Sequence, residues 1–140
     1  MTSPELENLV RIGKLKREAP AAAELEGLMR SGHNRLADAD NRGLALESRF
    51  DLAYNAAHAL ALAALRRLGY RCDSRYLAFQ TLPHTLGLPA SVWRVLAKGH
   101  ESRNVAEYEG SLEVDERLVT DMIQAAKAVK VALDRAIRAN

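Results

Sequence analysis

The sequence predicts an all-α bundle with short loops, and three observations carry that expectation. Ala and Leu supply 45 of the 140 residues, whereas Val, Ile and Thr supply only 15. Ala and Leu lose little freedom in a helix, and branched side chains lose more. Gly and Pro together number 12, too few for a many-turned β chain or a disordered one. Apolar residues recur at spacings of three and four, and no stretch reads as a strand. The length fits one domain spanning 1–140. At 48% hydrophobic residues, the chain can bury a core without a disulfide or metal staple.

The elements follow in order. A first helix is expected from Pro4 to about Lys16, with Ser3 as N-cap and Pro at the first helical position. Leu6, Leu9, Val10 and Gly13 mark one side of it, and Pro20 interrupts. A second helix is expected over Ala21–Ala39, with Ser31–Gly32 as a place where it could split. The run DADNRG is a turn. The third helix, about Leu44 to Leu68, carries Phe50, Tyr54, Ala57, Ala61, Leu65 and Leu68 on one stripe. Leu52, Ala59 and Leu62 lie on another. A helix apolar on two sides is buried between layers or between subunits. Gly69 ends it. Another helix is expected over Tyr76–Leu86, capped by Asp73 or Ser74 and kinked or ended by Pro83. A short helix follows over Ala90–Lys98, then one from Glu101 to Gly110. The last, Val114 to about Ala139, repeats Leu118, Met122, Ala126, Val129, Leu133 and Ile137 in an amphipathic pattern.

Several classes are disfavoured. One cysteine, Cys72, rules out an intramolecular disulfide framework and a multi-Cys zinc site; Arg71 and Arg75 beside it could lower its pKa, but it is read as a passenger. The longest near-apolar stretch, Ala56–Leu65, is too short for a membrane span. The opening MTSPELENLV lacks the pattern of a signal peptide, so the expected location is cytoplasmic. His33, His58, His84 and His100 show no metal-ligand spacing. No glycine-rich phosphate loop or GxSxG occurs, and no metal or cofactor is expected. Aromatic residues at 5% argue against stacking platforms for single-stranded nucleic acid. Net charge is +2. Residues 41–100 nonetheless hold eight basic side chains against three acids, which would suit an anionic partner or simply solvate a helix exit.

Two groups of residues could carry chemistry. Asp51, Asn55 and His58 are spaced four and three apart on one edge of the third helix. A carboxylate, an amide and an imidazole side by side can orient a phosphate or a proton transfer; they can equally be a polar edge bonded to a neighbouring helix. In GHESRNVAEYEG (99–110), His100 and Arg103 face the same way and, with Tyr108, could grip a phosphate, because the guanidinium fork matches its oxygens. The alternative is an ordinary Arg103–Glu107 ion pair four residues apart.

The stretch SRFDLAYNAAHALALAALRRLGYR (Ser48–Arg71), followed by SRNVAEYEG (Ser102–Gly110), resembles the HEPN domain family. The resemblance covers about residues 30–135, with the first 25 or so as an added N-terminal arm. It implies an up-and-down bundle of four to five main helices, commonly a homodimer. Many HEPN domains are metal-independent ribonucleases of toxin–antitoxin, phage-defence and CRISPR systems, often encoded beside a minimal nucleotidyltransferase. Their signature is an Arg, four to six residues, then a His. Arg103 matches the arginine and Asn104 the residue after it, and Asn55 is the candidate assisting polar residue. The histidine does not carry over: Tyr108 occupies its nearest slot, and a phenol is a poor general base near neutral pH.

The primary expectation is therefore a non-catalytic HEPN-like domain that binds RNA, a nucleotide or a partner such as a nucleotidyltransferase. Its binding residues would be Asp51, Asn55, His58 and Asn104. One alternative is a metal-independent ribonuclease using Arg103 with His100, His58 or Tyr108. Another is a helical dimerisation protein without a ligand.

Overall fold

A computed structural model describes residues 3–110 and 114–139, the side chains of 107–109 excepted. Among the described residues the architecture is a helical bundle. Its helices are α1 (Pro4–Arg11), α2 (Ala22–Ala39), α3 (Leu46–Arg67), α4 (Arg75–Gln80), α5 (Leu82–Thr85), α6 (Ala90–Glu109) and α7 (Glu116–Arg138). Two short strands, β1 (Lys16–Arg17) and β2 (Tyr70–Arg71), complete it.

Helix α3 is the central post. Phe50, Ala53, Tyr54, Ala57, Leu60, Ala61, Ala64 and Leu65 are all buried. Its most extensive partners are α2 and α7, with α4, α5 and α6 on the remaining side. Both apolar sides of the helix are thus covered within one chain, so this helix does not by itself call for a second subunit. Helix α7 presents the expected stripe, with Met122, Ala126, Val129 and Leu133 buried. The Asp115 side chain caps it by accepting from the Leu118 N–H at 2.7 Å. Ser74 caps α4 in the same way, through Leu77 N–H at 3.2 Å. Pro83 then sits in the first turn of the separate α5.

Four expectations change. The first helix stops at Arg11 instead of Lys16, and the chain turns so that Leu15 enters the core beside Leu6. The first residues therefore pack into the bundle. Next, Lys16–Arg17 pairs antiparallel with Tyr70–Arg71, in the register Lys16↔Arg71 and Arg17↔Tyr70, although neither segment reads as a strand. Helix α2 runs unbroken through Ser31–Gly32. Gly32 is buried against Leu60 of α3, and a Cβ there would stand 2.5 Å from Leu60 Cγ. The glycine is a point of close helix approach, not a break. Likewise the two helices expected over 90–110 are the single α6. Gly99, in its middle, lets α6 settle against Met122 of α7 and Phe50 of α3, where a Cβ would run into the end of the Met122 side chain.

The exit of α3 is tied down by arginines. The Arg66 side chain is 4% exposed. It donates from Nε to Glu24 at 2.6 Å and through its two Nη groups to the carbonyls of Glu18, Tyr70 and Ala19 at 2.9, 3.2 and 2.8 Å. Arg71 pairs with Glu18 and Glu24. These pairings hold both glutamates below the usual carboxylate range and raise Arg71. Arg49, also buried, donates to the Ala39 carbonyl at the end of α2 at 2.7 Å. Much of the basic middle of the chain is consumed by its own fold.

Candidate functional site

Successive turns of α3 set Asp51, Tyr54, Asn55 and His58 along one edge, because residues three and four apart share a helix face. Helix α6 lies opposite, held close at Gly99, and presents His100, Arg103 and Asn104. The first turn of α4 adds Arg75 and Tyr76. Side chains from three helices therefore meet on one half-exposed face.

The contacts are specific. Arg103 donates from an Nη to Asp51 Oδ1 at 2.5 Å, with both side chains a little over one-third exposed. Arg75 donates to Asn55 Oδ1 at 2.9 Å, and Asn55 Nδ2 donates to the Asp51 carbonyl at 2.8 Å. His100 is held at both ring nitrogens: Tyr54 Oη lies 2.9 Å from Nδ1, and Asn104 Nδ2 lies 3.2 Å from Nε2. With the Asn104 amide in this orientation, a neutral ring accepts at Nε2 and donates from Nδ1 to the Tyr54 oxygen. The guanidinium carbons of Arg75 and Arg103 stand 5.4 and 5.9 Å from the Tyr54 ring centroid. By that geometry they are no more than 11.3 Å apart, the sum of the two distances.

The aromatic residues gather here too. Ring contacts link Phe50 to Tyr54, Tyr54 to Phe79 and His100, Phe79 to His58, and Tyr76 to both His100 and Trp93. At least five of the chain's seven aromatic residues belong to this one network. The low overall content therefore hides a local concentration, in which Phe50, Tyr54 and Phe79 are buried and Tyr76 is an exposed ring.

Burial, with smaller contributions from the nearby Arg75 and His100, drops the His58 pKa to about 4. Its imidazole is neutral near pH 7 and too weak a base to take a proton from a hydroxyl there. The arginines beside Cys72 do not lower its pKa. Burial pushes its thiol up, not down, and it donates to the Ser74 carbonyl at 3.2 Å. Arg71 is engaged with Glu18 and Glu24, and Arg75 with Asn55, so neither activates the thiol.

The sequence-derived residues Asp51, Asn55, His58, His100, Arg103 and Asn104 thus come together. Tyr108 belongs to the backbone of α6, but its side chain lies outside the described residues, as does that of Glu107. The contact shown for Arg103 is Asp51 on another helix. Sequence reasoning missed Arg75, Tyr54 and Tyr76. Tyr54 sits one residue from Asn55 on the polar edge, and that position is the signal that its hydroxyl served the site. Among the described residues no three of His, Cys, Asp and Glu could hold a metal ion, and no helix is long and apolar enough to cross a membrane. No protein-family model, no curated protein and no solved structure matches the chain.

Proposed function

We propose that this protein is a non-catalytic binding module whose α3–α4–α6 face takes a phosphate group of RNA or of a nucleotide. One observation carries the reading: Arg75 and Arg103 converge with the amides of Asn55 and Asn104 and with His100 on a half-exposed face where, among the described residues, Asp51 is the one carboxylate shown in contact with them. Two guanidinium forks with neutral donors around them match phosphate oxygens. The HEPN resemblance leads to three of these residues, Arg103, Asn104 and Asn55, and adds a context: a homodimer in a toxin–antitoxin or phage-defence type module, with a minimal nucleotidyltransferase as a partner.

The chemistry favours binding over cleavage. His58 is too weak a base, and His100 is engaged at both nitrogens, so a proton-accepting Nε2 must first leave Asn104. The second reading, a metal-independent ribonuclease, draws on the Tyr54 contact, which orients the His100 ring as a general base requires.

The test is a binding titration of a labelled single-stranded oligoribonucleotide across salt concentrations, together with an EDTA-resistant cleavage assay. Arg103→Ala and Arg75→Ala should each weaken binding and lower the salt slope by about 0.7 per lost phosphate contact, with helical circular dichroism unchanged. No cleavage is expected. Cutting by the wild type that His100→Ala abolishes would establish the ribonuclease instead.

A further inference from the structure

We infer that Tyr76 is a stacking platform for an unpaired nucleobase, so that the ligand of this face is a nucleotide unit and not phosphate alone. The inference rests on the proposal that Arg75 and Arg103 bind phosphate, and it names what that phosphate carries. Tyr76 is 37% exposed, among the more open of the large hydrophobic side chains. Trp93 meets it edge-on at 6.3 Å and His100 lies tilted at 5.9 Å. A surface ring backed by two others is fixed before any ligand arrives, and a base that stacks on it costs little ordering. His100, which Tyr76 contacts, in turn stacks on Tyr54, the ring that Arg75 and Arg103 stand over, so the platform and the two guanidinium groups border one face, as the base and phosphate of one nucleotide require.

There is room beside the ring. Tyr76 also lines a groove of about 570 Å³ between α1 and α4, with Leu9, Ile12, Leu77, Gln80, Lys14 and the carboxylate of Asp73. That size falls within the roughly 300–1,000 Å³ usual for small-ligand clefts. Ile12 is 57% exposed at its wall, an apolar surface for a ring. Gln80 supplies an amide for a base edge, and Lys14 an ammonium for a neighbouring phosphate. Paired bases hide their faces inside a duplex, so a platform of this kind selects single strands, and it does so without reading sequence.

The experiment uses the full chain. Fluorescence anisotropy follows a short labelled single-stranded oligoribonucleotide, the same strand annealed to its complement, and competition by AMP and by inorganic phosphate. Trp93 is the chain's one tryptophan, so its emission reports on the ring next to Tyr76. Tyr76→Ala should weaken single-strand binding roughly 5- to 150-fold, the range of one lost base–aromatic stack. Tyr76→Phe should stay within about twofold, because the ring is kept. The duplex should bind more weakly than the single strand, and saturation should quench Trp93 in the wild type but not in Tyr76→Ala. AMP displacing the strand at low concentration would make a free nucleotide the source of the base; a strand that AMP cannot displace would make it nucleic acid. If Tyr76→Ala binds like the wild type while Arg103→Ala does not, or if inorganic phosphate and AMP displace the strand equally well, stacking is overturned and the phosphate reading survives. If the wild type binds none of these ligands, both fall.

Discussion

Replacing Asp51 by Asn should tighten the binding of an anionic ligand, although Asp51 lies within the site. Its carboxylate holds Arg103 from across the α3–α6 contact at 2.5 Å, so an arriving phosphate must compete with it for the same fork. Asn keeps the volume and a hydrogen-bonding oxygen but removes the charge. A phosphate on the far side of the guanidinium would stand about 6 Å from the carboxylate. With an effective dielectric near 60 for this half-open face, the repulsion is about 0.9 kcal/mol. Freeing Arg103 from its pair adds a few tenths. The expected gain is about 1 kcal/mol, or roughly fivefold in Kd at low salt, fading as the ionic strength rises. The cost to the fold is small, because a pair with both members more than one-third exposed contributes about 0.2–1 kcal/mol. The melting temperature should therefore fall by no more than about 4 °C. Anisotropy titrations at two salt concentrations and a thermal melt by circular dichroism measure both quantities. Binding that weakens in Asp51→Asn as much as in Arg103→Ala would refute the competition argument and make the carboxylate itself a part of recognition.

Two predictions concern stability. Arg66 is a buried fork serving Glu24 and three carbonyls at once, and an ammonium cannot reach all four; Arg66→Lys should cost about 2–4 kcal/mol in urea unfolding, whereas the exposed Arg30→Lys should change it by less than about 0.5 kcal/mol. A small effect at Arg66 would mean that the loop before α2 is held by other contacts. His58 has its folded pKa lowered to about 4, so the unfolded chain takes up a proton near pH 6.5 that the native ring refuses. Stability is then full above pH 6.5, falls as pH drops toward 4, and loses nothing further from this group below that. The interval corresponds to ~3 kcal/mol, which solvent at a half-buried ring reduces to about 1–2 kcal/mol. His58→Gln should flatten that stretch of the pH–stability curve, and an unchanged slope would show the ring to be freely solvated.

The parts of this fold that could be read from the sequence are those encoded locally. The stripes of α3 and α7 follow from spacings of three and four, and Ser74 and Pro83 punctuate the chain where their chemistry says they should. The glycines misled for a physical reason. Gly32 and Gly99 cost helix propensity wherever they stand, and only the partner surfaces, Leu60 and Met122, show that each buys close approach and not a break. The pairing of Lys16–Arg17 with Tyr70–Arg71 joins segments more than fifty residues apart, and two residues are too few to show a period. Similarly, each half of the candidate site was visible as one helix edge: Asp51, Asn55 and His58 on one, His100, Arg103 and Asn104 on the other. Their meeting depends on how α6 crosses α3, which no spacing within either helix records.

Charge makes the same point more sharply. The excess of basic residues over 41–100 suggested an anionic partner, yet only part of that excess is left for the folded surface to offer. Arg49 is bound to the end of α2, and Arg66 and Arg71 are matched by Glu18 and Glu24 from the acid-richer first forty residues. Arg75 is different: it reaches a neutral amide, Asn55, and stands over an aromatic ring. Its companion Arg103 comes from outside the basic stretch altogether. A partner meets the cations that folding has not already paired, and which those are depends on where the acids of distant segments come to rest. In this chain Glu18 and Glu24 converge at the exit of α3, while among the described residues Asp51 alone contacts the arginines of the α3–α4–α6 face, and this difference makes that face the better place for an anion.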